Sequence, residues 1–169
     1  MRMWAVVVVV AGLLALGGVQ AVATEAAPEW QTDFKKASEA AKESGKYMLL
    51  NFSGSDWCGW CIKLDNEVFS KAEFKTYAAQ DLVLVMLDFP RRKPQSDELK
   101  KQNRELMEKY GVRGFPTIIV LSPTGELAGQ TGYRPGGPEK YVEHLKGIID
   151  AHKAKVQEAQ KTGDPAQPK

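Results

Sequence analysis

The sequence predicts a single α/β domain with a mixed central sheet flanked by helices on both faces. Two runs read as buried strands: Tyr47 to Phe52, which opens on the apolar Tyr47-Met48-Leu49-Leu50, and Leu82 to Leu87, which is continuous rather than alternating, as strands covered on both faces tend to be. Each follows a stretch that reads as a helix, which sets up parallel neighbours. Thr117–Leu121 and Leu127–Thr131, joined by Ser122-Pro123-Thr124-Gly125, read as an antiparallel hairpin, and that makes the sheet mixed. A chain of 169 residues with 43% hydrophobic content fills one core, and two domains would each be small.

The N-terminus stands apart from this domain. Arg2 precedes an apolar run that continues through Leu13-Leu14-Ala15-Leu16, and Ala21-Val22-Ala23 supplies a small-x-small cleavage pattern. Residues 1–23 therefore read as a secretory signal peptide, which places the mature chain in a periplasm or outside the cell. The competing reading is an uncleaved membrane anchor, although Met3 to Val19 is short for a bilayer and interrupted by Gly12, Gly17 and Gly18. Lysine and arginine total 23 against 21 acidic residues, so the domain is close to neutral and no nucleic-acid partner is expected.

The domain is expected over residues 24–152. Phe34, Ala37, Ala40 and Ala41 recur at helical spacing, which predicts a helix from Pro28 to Ser44, stopped by Gly45. After the first strand, Ser53-Gly54-Ser55-Asp56 forms a turn, with Ser55 or Asp56 placed to cap a helix from about Cys58 to Phe69. Ser70 is the expected cap of a short helix through Ala79. Pro90 to Ser96 is a polar connection whose Arg91, Arg92 and Lys93 read as a solvated loop rather than a binding patch. A charged helix follows from Asp97 to Lys109, ended by Tyr110-Gly111. Tyr141, Leu145 and Ile148-Ile149 give the last helix its apolar face. Residues 153–169 are polar and read as a disordered tail.

Both cysteines lie in Trp57-Cys58-Gly59-Trp60-Cys61, directly after the first strand and turn. A bond between them closes a loop too small to constrain the unfolded chain, so stapling explains them poorly. A closed zinc site needs about four ligands, and the two histidines, His144 and His152, are near the C-terminus. A reversible dithiol remains.

The chain resembles the thioredoxin superfamily, on two separated motifs in the expected order: Trp57-Cys58-Gly59-Trp60-Cys61 at a strand-to-helix turn, and Val112-Arg113-Gly114-Phe115-Pro116-Thr117 opening the third strand. The resemblance spans roughly Trp30 to Ile149. It implies the thioredoxin fold and a protein disulfide reductase or isomerase, with Cys58 and Cys61 as the catalytic redox pair. It also implies a cis Phe115–Pro116 bond lying against the dithiol, a Phe115 backbone that pairs with extended substrate, and Gly132 facing the active site. A trans proline beginning an edge strand is the competing reading of Pro116.

The residues support the same chemistry. At a helix N-terminus the unpaired N–H groups and the positive end of the helix dipole favour thiolate, which makes Cys58 the nucleophile. The i, i+3 spacing places Cys61 one turn inside, on the same face, as the resolving thiol. Gly59 lets another chain approach, and Trp57 and Trp60 offer apolar surface around the sulfur, unless they pack against their own domain. No cofactor or metal is implied, because the dithiol is the redox group. The expected partners are protein disulfides or thiols and a separate redox protein, with the chain itself a monomer.

Two departures from thioredoxin bear on mechanism. Asn51 stands where that family commonly buries an aspartate beneath the resolving cysteine, and Met86 stands where a lysine often faces it. With the longer connection from Pro90 to Ser96, they make the chain look more like extracytoplasmic thioredoxin-like proteins. The direction of electron flow stays open, with reduction or isomerisation favoured because Gly59-Trp60 contains no histidine to stabilise the thiolate. A thioredoxin-fold binding or chaperone module with idle cysteines is the alternative from a different class.

Overall fold

A computed structural model describes residues 28–162. The expected signal peptide, 1–23, and residues 163–169 of the expected tail lie outside the described residues. In chain order the elements are α1 (Phe34–Ser44), β1 (Tyr47–Ser53), α2 (Gly59–Leu64) continued by a π-helical turn (Asp65–Phe69), and α3 (Ala72–Asp81). They continue with β2 (Leu82–Asp88), α4 (Asp97–Lys109), β3 (Thr117–Leu121), β4 (Leu127–Thr131) and α5 (Gly137–Thr162). The sheet order is β2-β1-β3-β4, with β1 parallel to β2 and antiparallel to β3, and β3 antiparallel to β4. This is the thioredoxin fold with the expected mixed sheet.

The side-chain alternation of β1 divides the core in two. Tyr47 and Leu49 face a cluster with Leu64, Val68, Phe69, Phe74, Tyr141 and Leu145, which brings α2, α3 and α5 onto that side. Met48, Leu50 and Phe52 face Ala37, Ala41 and Leu106, which brings α1 and α4 onto the other. All seven residues of β1 are buried, the polar Asn51 and Ser53 among them, as a strand covered on both faces requires. Each fully buried Leu or Phe contributes roughly 1.5 to 3 kcal/mol relative to exposure, so both layers are needed for stability.

Several boundaries differ from expectation, each for a local reason. The first helix begins at Phe34, because Asp33 is its N-cap and accepts from the Lys36 N–H at 3.1 Å. Residues before it are extended, and Gln31 bridges to Val85 in parallel on the outer side of β2. Ser70 closes the preceding segment rather than starting the next: its N–H donates to the Asp65 carbonyl at 2.9 Å and its hydroxyl to the Asn66 carbonyl at 3.1 Å. The N-cap of α3 is Lys71, with no side-chain cap bond.

The last helix runs ten residues past the expected boundary at His152, so residues 153–162 are helical. Polar composition suggested a tail, but Ala154, Lys155, Gln157, Glu158, Ala159 and Gln160 are good helix formers that extend a helix already nucleated by packing. His152 anchors this end, with Nδ1 3.0 Å from the Tyr47 hydroxyl and Nε2 3.7 Å from Glu126.

Candidate active site

The turn after β1 is built before the helix can start. The Gly54 carbonyl accepts from the N–H groups of both Trp57 and Cys58, at 3.2 and 2.8 Å. Neither expected cap is available to α2, because Asp88 accepts from the Ser55 N–H at 2.9 Å and the Ser55 hydroxyl at 2.6 Å, while Asp56 faces the loop after β2. The N-cap is therefore Cys58 itself, whose Sγ accepts from the Cys61 N–H at 3.2 Å. That N–H belongs to the first turn of the helix and is shared between the Cys58 carbonyl, at 3.0 Å, and the sulfur where negative charge would develop.

Cys58 and Cys61 are joined as a disulfide with Cα atoms 5.3 Å apart, and both are nearly buried. Cys58 opens onto a groove of about 610 Å³ lined also by Trp57, Met107, Val112, Arg113, Gly114 and Phe115. The Phe115–Pro116 peptide bond is cis, and the Thr117 hydroxyl donates to the Gly114 carbonyl at 2.8 Å across the same loop. Gly132 lies against this loop, close enough that a Cβ there would stand 3.0 Å from the Pro116 carbonyl oxygen. A Cβ at Gly59 would meet nothing within 4 Å, so the backbone beside the sulfur is open to an approaching chain.

The two tryptophans occupy different environments. Trp57 is held by its own domain: its Nε1 donates to the Phe89 carbonyl at 2.8 Å, and its ring meets Phe115 edge-on at 5.9 Å. A Cβ at Gly54 would overlap the indole, so glycine is required there by close approach rather than by dihedral angle. Trp60 is 58% exposed and leans on Tyr133 with centroids 5.1 Å apart.

Gly54→Ala is accordingly expected to cost about 1 to 3 kcal/mol by overpacking and to shift Trp57 emission. Urea unfolding followed by fluorescence checks both effects, and unchanged stability would mean that the indole has room to move.

The loop carrying Gly132 is fixed by groups to which sequence reasoning assigned no part in the site. Tyr141 donates from its hydroxyl to the Gly132 carbonyl at 3.1 Å, and burial pushes its phenol well up, so it stays a neutral donor. His144 Nε2 lies 3.0 Å from the Thr131 hydroxyl, and burial, with Arg134 nearby, holds its pKa below the usual range. Tyr133 donates to Glu67 at 2.6 Å, and this bond comes first in raising the phenol pKa. Glu67 is reached from the π-helical turn after α2, a feature without a residue-level signature in the sequence.

Asn51 is buried, with register partners Met86 on β2 and Ile118 on β3. Alternation along β1 puts it on the same face of the sheet as α2. Its Oδ1 has no hydrogen-bond partner among the described residues. Both departures read from the sequence are therefore neighbours in the fold. No cluster of three or more His, Cys, Asp or Glu suited to a metal ion occurs among the described residues.

A family model described as a thioredoxin-like domain matches residues 34–147, most of the chain and all of this site. The chain belongs to the thioredoxin-like family. This thioredoxin-like chain is 36% identical over 121 residues to the disulfide bond reductase DsbH of Chlamydia pneumoniae, covering 72% of each protein. It is 33% identical over 93 residues to the thioredoxin-related protein DsbJ of the same organism, covering 55% of this chain but only 27% of that one. A solved structure of a DsbH oxidoreductase superposes with a TM-score of 0.70 at 35% identity, covering 74% of this chain and 86% of that chain.

Proposed function

We propose that the chain is an extracytoplasmic protein disulfide reductase working through Cys58 and Cys61. The observation that carries this is Cys58 as the N-cap of its own helix, its sulfur facing the Cys61 N–H and opening onto the groove beside the cis-Pro116 loop. The Cys58 thiolate attacks one sulfur of a substrate disulfide; an S–S bond forms between enzyme and substrate as the other substrate sulfur leaves as thiolate. Cys61, deprotonated, then attacks Cys58 Sγ, the mixed disulfide breaks, and the second substrate thiol departs. Two electrons have passed to substrate, and the Cys58–Cys61 disulfide returns to the dithiol by exchange with a dithiol donor. No cofactor enters the cycle.

Substrate is bound by the residues around the groove: the Phe115 backbone before Pro116 pairs with the extended segment, Gly59 and Gly132 leave room for it, and Trp57 and Trp60 flank it. The name of the relative DsbH supports reduction as the direction. Support for the compartment comes from the apolar run and Ala21-Val22-Ala23. Among the described residues no helix is long and apolar enough to cross a membrane. The chain acts as a monomer in this reading.

The test is reduction of a disulfide-linked protein by a small dithiol, followed by turbidity. The pre-reduced protein should accelerate it, and alkylation of its thiols should remove the acceleration. No acceleration over the small dithiol alone would sink the proposal. For the compartment, mass spectrometry of protein from its native host should find Thr24 as the N-terminus, and membrane-retained protein beginning at Met1 would show an anchor instead.

A further inference from the structure

Each tryptophan flanking the dithiol carries a cation over its ring. The Arg91 guanidinium carbon lies 3.8 Å from the Trp57 ring centroid, and Lys63 Nζ lies 5.2 Å from the centroids of both Trp60 and Tyr133. Arg113 lines the groove with Trp57 and Cys58, and Arg92 and Lys93 are exposed on the loop that carries Arg91. Arg113 therefore shares the groove with the Cys58 sulfur, and four further cations sit over the flanking tryptophans or on the loop that carries Arg91, in a chain of near-neutral total charge.

The arrangement is built rather than incidental. The Asp56 carboxylate accepts from the backbone N–H groups of Arg91, Arg92 and Lys93, at 3.0, 2.7 and 3.2 Å, which fixes the loop against the active-site turn. These bonds, led by that from Arg91, hold the Asp56 pKa below its ordinary value, so the clamp is charged and intact at neutral pH. Lys93 Nζ reaches the Ser55 hydroxyl at 3.3 Å.

Three carboxylates beside the dithiol are already engaged. Asp56 holds the loop, Asp88 holds Ser55, and Glu67 accepts from Tyr133 and sits 3.8 Å from Lys63. Among the described residues Arg91, Arg92 and Arg113 form no ion pair with a carboxylate. A guanidinium held over an indole ring, as Arg91 is over Trp57, can still offer N–H groups to a planar anion, an interaction that suits a carboxylate bidentately.

We propose that this rim selects disulfides whose cysteine is flanked by aspartate or glutamate, with Arg91 and Arg113 reading the carboxylates beside the Cys58 groove. The proposal rests on Cys58 being the attacking thiol of a protein disulfide reductase. The loop that sequence pattern marks as merely solvated is, on this reading, half of the specificity surface.

The experiment uses three disulfide-linked homodimers of one short peptide that differ only in the residues flanking cysteine: glutamate, glutamine or lysine. Single-turnover oxidation of the pre-reduced protein is followed by tryptophan fluorescence. The glutamate peptide should react roughly 10-fold or more faster than the lysine peptide at about 50 mM salt, with glutamine between, and the ratio should collapse toward one at about 0.5 M. Arg91→Glu should lower the glutamate-to-lysine ratio several-fold, and Arg113→Gln, which removes one of the two reading cations without adding a negative charge, should lower it in part. Equal rates for all three peptides, or a ratio indifferent to salt and to Arg91→Glu, would overturn the selectivity while leaving the reductase reading intact. If none of the three peptides is reduced, it is the reductase reading itself that falls.

Discussion

Cys58→Ser is expected to abolish disulfide reduction, by roughly 10³-fold or more, the scale on which an enzyme loses its nucleophile. Cys61→Ser should also stop turnover, but only after the first chemical step, and should accumulate a covalent adduct with substrate through Cys58. The asymmetry does not show in overall burial, since the two residues are about equally buried in the disulfide. It comes from their surroundings. The Cys58 sulfur receives the Cys61 N–H and lines the groove, whereas Cys61 sits inside the first turn, where its N–H is already shared with the Cys58 carbonyl at 3.0 Å. A thiolate at Cys58 is thus met by a donor, and substrate can reach it. Mass spectrometry under non-reducing conditions separates the two variants: one adduct per Cys61→Ser molecule and none on Cys58→Ser. Adducts on Cys58→Ser instead would reverse the roles.

What the sequence made legible follows the range of the interactions involved. The dithiol, both long buried strands and the hairpin are written in consecutive residues, and a spacing of two or three positions is enough to read them. The clamp from Asp56 to residues 91–93 spans 35 to 37 positions, and the bond from Tyr133 to Glu67 spans 66. Neither has a local pattern. Ser55 and Asp56 are among the residue types that best cap helices, yet each is committed to a partner more than thirty residues away, and the cap passes to a cysteine, which is not among the preferred capping residues. Gly54 likewise looks like an ordinary turn residue until the Trp57 indole is seen lying on it. The end of α5 erred in the other direction: composition suggested disorder where helix propensity and the His152 anchor carry the helix onward.

The same long-range reasoning makes Asn51 the most informative position for the resolving step. Cys61 must lose its proton before it can attack the mixed disulfide, and burial disfavours the thiolate. Asn51, on the sheet face that α2 covers, cannot take a proton as a carboxylate does, and its buried Oδ1 finds no donor among the described residues. Resolution is therefore expected to limit turnover near neutral pH. Asn51→Asp should speed the decay of a preformed Cys58 mixed disulfide at pH 7 by roughly 10- to 100-fold, within the range of general-base catalysis. It should also cost about 1 to 3 kcal/mol, because its register partner Met86 offers no cation. Burial raises the new carboxyl's folded pKa above its unfolded value, so the protonated variant is nearly as stable as wild type below about pH 4 and loses stability as pH rises through the folded pKa. Stopped-flow decay across pH, paired with urea unfolding at pH 4 and 7, reads both effects. A folded Asn51→Asp protein that resolves no faster than wild type, with the same pH profile, would show that Asn51 is only a packed polar residue and that the Cys61 proton leaves by another route.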